Sequence, residues 1–502
     1  MNIKFPILAC LSLIVISPAA VRAEGKPNMV FIITDDQGYG DLSAHGNPVL
    51  KTPHLDRLRS ESVRFEDFHV SPTCSPTRSA LFSGRHEFKN GVTHTILERE
   101  RLAPGSITLA QVLRDNGYST GIFGKWHLGD EREYLPSARG FTEMFIHGGG
   151  GIGQSYPGSC GDAPGNTYFN PAILHNGRFV KTEGYCTDVF FKQARTWMKS
   201  QKESGKPFFA YIPTNAPHSP YNAKPADAAR YEGKVGNKQL AHFYGMIHNI
   251  DENIGELLED LRTWGIERET LVIFMNDNGT AAGASVFNAG MRGAKGSVWL
   301  GGTRASSFWR WPGTWKPAET KALAAHIDVF PTLAEISGAA LSDEAKRQIE
   351  GRSLKPLLDH PRAEWPDRHL FTHQGRWPKG ADPNASKFSM AAVRNTRWAM
   401  VSEKGGSEAN WQLFDLKEDY SQKHDVAAQH PEVVKELAAA FDKWWGECLP
   451  LMVNEKSIGP KLNPFAVSYW EQFGGAPTQA DFDRMNPQKA FEFGGKPNRQ
   501  KH

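Results

Sequence analysis

Four apolar stretches along the chain are continuous, without the alternation of apolar and polar residues seen in half-buried strands. They cover residues 29–34, a run that ends at Lys125, residues 207–213 and residues 270–275. Continuous apolar runs of this length are typical of strands that a parallel sheet buries on both faces. The pattern therefore predicts several central strands of one large sheet.

Helical patterns separate these strands. Thr52 and Pro53 are typical of a helix start, and apolar residues recur at helical spacing over 108–117 and 240–264. Alternating strands and helices favour an α/β fold with a large, mostly parallel central sheet sandwiched by helices. We expect this larger domain to cover residues 24–365.

The pattern changes after about residue 361. Residues 390–401 and 411–416 are predicted to form antiparallel strands, and a helix with one apolar face begins at Pro431. These features predict a smaller α+β domain over residues 366–448. Residues 449–502 are rich in Gly, Pro and aromatic residues, and we expect an irregular C-terminal extension there.

The first 23 residues have the order of a secretory signal peptide. Lys4 precedes an apolar run over 5–16, and small residues at 21 and 23 offer a cleavage site. The run is shorter than the ~18 residues usual for a membrane span, so we expect no stable membrane insertion. The sequence predicts an exported protein, either periplasmic or secreted.

Composition narrows the function further. A formal net charge of +3 lacks the strong basic excess of general nucleic-acid binders, so we expect no nucleic-acid partner. Beyond the leader there are only Cys74, Cys160, Cys186 and Cys448, too few for a disulfide scaffold in a chain of 502 residues. Pairing of Cys160 with Cys186 is open.

Polar side chains follow the strand-like runs. Asp35-Asp36, Lys125, His218 and Asp277-Asn278 all lie just beyond such runs. Ligands of open α/β sheets bind beyond the carboxyl ends of the strands. Oxygen ligands without sulfur or imidazole suit Ca²⁺ or Mg²⁺. The alternative for each acidic pair is a helix cap or turn.

Residues 74–78 read Cys-Ser-Pro-Thr-Arg. By chemistry alone, Cys74 is open to three interpretations: a structural thiol, a disulfide partner or a nucleophile. Pro76 favours a helix that starts just after Cys74, and a helix N-terminus attracts anions. Arg78 adds a fixed positive charge nearby.

This segment, followed by Ser-Gly-Arg at 83–85, resembles the Cys-x-Pro-x-Arg element of the type I sulfatases, in the alkaline phosphatase superfamily. Residues 117–127, 217–220, 274–279 and 295–304 resemble further elements of that family, and the likeness extends roughly over 27–445. Two positions depart from the family pattern. Phe123 stands where a smaller aliphatic residue is commoner, and Leu300 stands where glutamate is usual.

The resemblance implies a sulfate-ester hydrolase whose nucleophile is a formylglycine hydrate made from Cys74 by a formylglycine-generating enzyme. It also implies one Ca²⁺ ion, with Mg²⁺ less favoured. The metal ligands would be Asp35, Asp36, Asp277, Asn278 and an oxygen of modified Cys74.

The same resemblance gives roles to five other residues. Arg78, Lys125 and Lys295 would hold the sulfate oxygens. His218 would protonate the leaving alcohol, and His127 would act as the base that releases sulfate. The substrate would be an aryl sulfate or a sulfated carbohydrate. A phosphodiesterase or phosphonate monoester hydrolase, and a non-catalytic glycan-binding derivative, are the alternatives. His94, Arg304, His373 and residues 148–151 are weaker candidates for lining the pocket.

Overall fold

The computed structural model describes residues 25–489. The predicted signal peptide, residues 1–23, lies outside the described residues. In chain order the strands are β1 (Asn28–Thr34), β2 (Val63–Phe65), β3 (Phe68–His69), β4 (Ser119–Lys125), β5 (Glu143–His147), β6 (Ala172–His175), β7 (Arg178–Lys181), β8 (Phe208–Pro213), β9 (Thr270–Asn276), β10 (Ser307–Arg310), β11 (Ala318–Thr320), β12 (Ala324–Ala325), β13 (Leu370–His373), β14 (Ser389–Arg394), β15 (Trp398–Lys404) and β16 (Gln412–Asp415).

Helices occupy most of the connections between these strands. They are α1 (Pro53–Ser60), α2 (Cys74–Ser83), α3 (Leu109–Asp115), α4 (Cys186–Glu203), α5 (Pro225–Ala229), α6 (Lys238–Thr263), α7 (Leu300–Thr303), α8 (Val329–Ile336), α9 (Asp343–Gln348), α10 (Lys355–Asp359), α11 (Pro431–Cys448), α12 (Pro464–Phe473) and α13 (Gln479–Arg484).

Within residues 25–489, ten strands form one sheet in the order β11-β2-β10-β9-β1-β8-β4-β5-β6-β7. The five central strands, from β9 to β5, are parallel, whereas β10, β6 and β7 run antiparallel to their neighbours. The α/β prediction is confirmed, with a parallel centre and antiparallel pairings toward the edges.

The central strand β1 is buried on both faces, as its continuous apolar sequence predicts. Phe31 belongs to an apolar cluster that α2, α3 and α8 cover, whereas Ile32 belongs to a second cluster under α4 and α6. Because successive side chains of a strand point to opposite faces, both faces need apolar residues. The sheet is therefore sandwiched between two helical layers.

A second, four-stranded antiparallel sheet has the order β13-β14-β15-β16 and packs with α11 around its own apolar cluster. Residues 390–401, expected to be one strand, form a hairpin instead. Asn395 makes the turn, because its Oδ1 accepts hydrogen bonds from the backbone N–H groups of Arg397 and Trp398.

The C-terminal extension differs from its prediction as an irregular segment, because it contains α12 and α13. Helix α12 packs beside β7, where Gln472 exchanges two hydrogen bonds with the backbone of Phe179. Phe465 joins the apolar cluster of the large sheet. The Gly, Pro and aromatic residues of this segment do not predict a helix. The strand on which α12 packs lies almost 300 residues earlier in the chain.

Two findings concern the cysteines and possible membrane spans. Cys74, Cys160, Cys186 and Cys448 are all buried and free, so Cys160 and Cys186 are not paired. Across residues 25–489, no helix is both long and apolar enough to cross a membrane.

Candidate functional site

The site lies beyond the carboxyl ends of the central parallel strands. In β1 and β9, Thr34 stands opposite Asn276, so the two acidic segments that follow begin at the same edge of the sheet. The backbone N–H of Asp36 donates to Asp277 Oδ1 at 3.1 Å, which fixes the two segments together. Strand register thus brings together residues that are about 240 positions apart in the chain.

Each carboxylate here faces a cation. Lys125 Nζ lies 2.5 Å from Asp35 Oδ2, and both side chains are fully buried. Lys295 Nζ lies 2.5 Å from Asp36 Oδ1, and the Lys295 side chain keeps 21% of its surface exposed. Of these two lysines, Lys295 is therefore the one that solvent reaches.

The acidic residues form a set of oxygen donors. Single ligand atoms of Asp35, Asp36, Cys74 and His218 all lie within 4.8 Å of one another. Asn278 adjoins them, because its Nδ2 donates to Asp36 Oδ1 at 3.1 Å. The Oδ1 atoms of Asp35 and Asn278 are buried and accept no hydrogen bond from the described residues. Buried oxygens left without a donor fit a hard cation such as Ca²⁺.

Helix α2 presents Cys74 and Arg78 to this set. Thr73 is extended and the helix begins at Cys74 itself, one residue earlier than Pro76 alone predicts. Arg78, one turn on, donates to Asp277 Oδ2 at 2.9 Å and to the Lys125 carbonyl at 3.1 Å. The residue at position 74 therefore faces the site from a helix N-terminus, where negative charge is favoured.

The thiol of Cys74 is a poor nucleophile in this setting. Burial raises its pKa to about 12, and the neighbouring Asp35 carboxylate adds to the rise. A thiol with such a pKa is almost wholly protonated at neutral pH, and the thiolate is the reactive form. As an unmodified thiol, Cys74 is therefore a weak nucleophile at neutral pH.

His127 directly follows Trp126 at the end of β4 and adopts a left-handed backbone with φ of 60°. Its Nε2 lies 2.7 Å from the carbonyl oxygen of Thr95, while Nδ1 is buried without a partner among the described residues. Since the carbonyl can only accept, Nε2 carries the proton and Nδ1 is left as the basic nitrogen.

His218 lies in the connection between β8 and α5. Its Nδ1 is 2.7 Å from the Ser219 carbonyl and its Nε2 is 3.7 Å from Asp36 Oδ2. Burial lowers the pKa of His218 to about 3, although Asp36 acts in the opposite direction. The imidazole touches the same carboxylate as Lys295, so both face one side of the site.

The weaker candidates for lining the pocket, His94, Arg304, His373 and residues 148–151, make other contacts. His94 Nδ1 accepts hydrogen bonds from its own loop, at Thr95 N and Ile96 N, and His373 Nδ1 accepts from Gly375 N. The Arg304 guanidinium stacks 3.9 Å from the Tyr39 ring. At Gly150, a side-chain Cβ would lie 2.8 Å from His127 Nε2. The 148–151 loop therefore makes room for His127.

Leu300, which replaces the usual glutamate, is buried. It belongs to an apolar cluster with Tyr39, Met291, Ala399 and Leu416, between the large domain and the small sheet. Its backbone N–H donates to Gln422 Oε1 at 3.0 Å. Leu300 therefore packs between the large domain and the small sheet, and Lys295 keeps its contact with Asp36.

Sequence patterns did not indicate three other residues. Thr95 holds His127 through its backbone carbonyl. Arg376 donates to Thr95 Oγ1 at 3.2 Å. Tyr156 packs against Ile96 and Leu97, just beyond Thr95. None of the three follows a strand-like run, so no pattern in the sequence marks them.

Carboxylates, cations and two histidines at the carboxyl edge of an α/β sheet define a hydrolase for anionic esters. A family model described as Sulfatase matches residues 27–339, and the chain belongs to this family of formylglycine-dependent sulfuric ester hydrolases in the alkaline phosphatase superfamily.

Relatives share this assignment. Arylsulfatase G of Rattus norvegicus is 31% identical over 88% of this chain and 92% of its own. N-acetylgalactosamine-6-O-sulfatase of Bacteroides thetaiotaomicron is 28% identical over 83% of this chain and 93% of its own. The crystal structure of Ps i-CgsB in complex with k-i-k-neocarrahexaose is 26% identical, with a TM-score of 0.74 over 93% of this chain and all of its own.

Proposed function

We propose that this sulfatase hydrolyses a sulfate ester on a sulfated carbohydrate, with residue 74 converted to formylglycine and with Ca²⁺ as its metal. One observation carries the proposal: Cys74 begins α2 within 4.8 Å of ligand atoms of Asp35, Asp36 and His218. One relative is named an N-acetylgalactosamine-6-O-sulfatase, and another was crystallised with k-i-k-neocarrahexaose; both support a sugar substrate.

The metal would be held by Asp35, Asp36, Asp277 and Asn278, together with an oxygen on residue 74. All four side chains are buried and offer oxygen atoms. Calcium accepts six to eight oxygens in flexible geometry, which suits a large set better than Mg²⁺. When bound, the ion would neutralise sulfate charge and lower the pKa of a nearby hydroxyl. The hydrate of formylglycine would supply the nucleophilic oxygen.

Three cations of the chain would bind the sulfate oxygens. Arg78 and Lys125 are fully buried and fixed by Asp277 and Asp35. Lys295 is held by Asp36 but remains open to the pocket. Because preorganised charges do not have to reorient during the reaction, they stabilise the transition state effectively.

The two histidines would serve separate proton transfers. His218 lies on the Lys295 side of the site with Nε2 toward Asp36. When the bound anionic substrate favours its imidazolium form, His218 would give a proton from Nε2 to the sugar oxygen as the S–O bond breaks. His127 has its proton on Nε2, against Thr95, so its free Nδ1 would accept a proton when sulfate is released. Separate histidines allow one group to act as acid and the other as base.

One partner and a location follow from this proposal. The buried thiol of Cys74 must be oxidised before folding closes the site, which requires a formylglycine-generating enzyme. The leader at residues 1–23 supports export to the periplasm or the exterior.

The mass of the tryptic peptide 65–78 tests the proposal, using protein coexpressed with a formylglycine-generating enzyme. We expect the lighter aldehyde at position 74, turnover of an aryl sulfate, and loss of turnover on chelation with recovery in Ca²⁺. Cys74→Ala is the matched control and should be inactive. An unmodified thiol in active protein, or faster hydrolysis of the matching phosphate ester, would contradict the proposal.

A further inference from the structure

The loop after β13 reaches from the small sheet to the edge of the site. Gln374 Nε2 donates to the Gly296 carbonyl at 2.6 Å, next to Lys295. The backbone N–H of Arg376 donates to the Thr93 carbonyl at 3.1 Å. Gly375 has φ of +67°, and a Cβ there would lie 1.9 Å from Thr93 O, so only glycine allows this approach. The loop is thus fixed on both sides of the pocket.

Arg376 is held in this loop in a left-handed backbone with φ of 65°. Its Nη2 donates to Thr95 Oγ1, whereas its Nε is buried and donates to no described residue. Among residues 25–489, no carboxylate lies within ion-pair distance of its guanidinium. By contrast, the buried Arg78 and Arg99 pair with Asp277 and Glu455. Arg376 as a whole is only partly buried, so its guanidinium, which has no carboxylate partner, is open to a substrate anion.

The surroundings of Arg376 place it at the same site. Its hydrogen bond to Thr95 puts Arg376 beside His127, whose Nε2 lies 2.7 Å from the Thr95 carbonyl. Tyr156 packs against Ile96 and Leu97, the two residues that follow Thr95. Tyr156 is linked to the His218 loop, because its Oη donates to Gln154 and Gln154 Nε2 donates to the Ser219 carbonyl at 2.9 Å.

We infer that Arg376, with Tyr156 beside it, forms a second anion-binding subsite next to the sulfate-binding cations, for an additional oxyanion on the substrate sugar. A guanidinium binds carboxylate or sulfate oxygens through parallel N–H groups. The aromatic ring of Tyr156 provides apolar surface for the sugar. The preferred substrate therefore carries a uronate carboxylate or a second sulfate close to the ester that is cleaved.

This inference rests on the proposed function and is tested with formylglycine-containing enzyme. The probes are N-acetylgalactosamine 6-sulfate, its 4,6-disulfate and a 6-sulfated disaccharide that carries a uronate. Their inhibition constants are measured against hydrolysis of 4-nitrophenyl sulfate. We expect wild type to bind a doubly anionic probe more tightly than the monosulfate, and Arg376→Gln to reduce that preference at least tenfold.

Arg397→Gln is the matched control, because it removes an arginine at the far end of the small sheet, where Arg397 pairs with Asp415. It should keep the preference. Arg376→Lys should keep part of it, since the charge remains without the planar fork. The disulfate and the uronate probe distinguish the two sources of the anion.

Other outcomes separate the two proposals. If neither 4-nitrophenyl sulfate nor any of the three sugar probes is hydrolysed although formylglycine is present, the proposed function fails, and calorimetry still compares the binding of the probes. If hydrolysis occurs but wild type does not distinguish the probes, the second subsite is disproved. An equal weakening of all three probes in Arg376→Gln also disproves it, and would leave Arg376 the structural task of holding Thr95.

Discussion

The carboxylate of Asp36 contacts three other residues of the site. It meets Lys295 at 2.5 Å, Asn278 at 3.1 Å and His218 at 3.7 Å. Burial opposes its charge, but Lys295, His218 and Lys125 together hold its pKa below its usual range. Burial, with repulsion from Asp35, instead raises the pKa of Asp277 to about 7. Carboxylates under such repulsion gain from a bound divalent cation.

At the same scale, the two lysines should respond differently to substitution. Lys295→Met removes a partly exposed charge that faces the substrate, so we expect kcat/KM to fall by about 100- to 1,000-fold, as for a lost transition-state donor. Lys125→Met leaves the fully buried Asp35 without its cation, so it should also lower the thermal unfolding midpoint more strongly.

Steady-state kinetics with 4-nitrophenyl sulfate and thermal unfolding of both variants measure these effects. Lys404→Met, at the exposed end of β15, is the control and should change neither quantity. A Lys295→Met enzyme with wild-type kcat/KM would show that Lys295 takes no part in catalysis.

At the scale of elements, the loops that follow the parallel strands hold the side chains in place. His127 is pressed between the Thr95 carbonyl and Gly150, in a backbone conformation that is uncommon outside glycine. Gly149 is fixed in turn, because its N–H donates to Asp130 Oδ1 at 3.0 Å. The 148–151 loop therefore packs against His127 and is held in place by Asp130.

We therefore expect Gly150→Ala to displace the His127 imidazole, since the new Cβ would lie 2.8 Å from Nε2. A misplacement of about 1 Å can cost up to ~100-fold in rate. The expected result is a large fall in kcat with a small change in the thermal midpoint. Gly105→Ala is the matched control, because its Cβ would meet no atom within 4 Å. Unchanged kcat in Gly150→Ala would remove His127 from the proposed mechanism.

At the scale of the whole molecule, the small sheet completes the site. It is joined to the large domain by Arg394, whose Nη2 lies 2.9 Å from Asp67 Oδ2, and by Gln422, which accepts from Leu300 N. At the other end of the sheet, the loop after β13 carries Gln374 and Arg376 to the edge of the site. The docking of the small sheet therefore governs both stability and the shape of the substrate pocket.

Arg394→Met removes one contact between the small sheet and the large domain, so it should change how the stability of the protein depends on pH. Burial opposes the charge of Asp67, but Arg394 and His69 hold its pKa below the ordinary value of about 3.9. A depressed carboxyl pKa stabilises the fold above the unfolded-state pKa, and the stabilisation is lost as pH falls through the folded-state pKa. We expect a loss of about 2 kcal/mol at neutral pH, below the ~3–5 kcal/mol for fully buried pairs, because Asp67 is 20% exposed.

Thermal unfolding from pH 7 to pH 3 measures the difference in unfolding midpoint between Arg394→Met and wild type. It should be largest near neutrality and shrink below about pH 4. Arg397→Met, which breaks an exposed pair on the same sheet, should change the midpoint little at any pH. A difference that stays constant with pH would mean that packing, not the ion pair, joins the two parts.

The sequence by itself determined the central strands, the α/β class and the polar clusters that end the strands, because these depend on local apolar patterns and motif spacing. Residues 29–34 and 270–275 were marked as buried strands, and Asp35, Asp36, Asp277 and Asn278 were marked with them. The assignment of Cys74 and Arg78 came from a resemblance in a short motif. Local chemistry alone left Cys74 open.

Only the tertiary structure decided which distant side chains meet. The packing of helix α12 against β7 and the packing of Leu300 depend on partners far along the chain. The same is true of Thr95 and Arg376, whose contact joins residues 281 positions apart. A periodic pattern records which face of an element is buried, but not what packs on it, so such contacts exist only once the chain has folded.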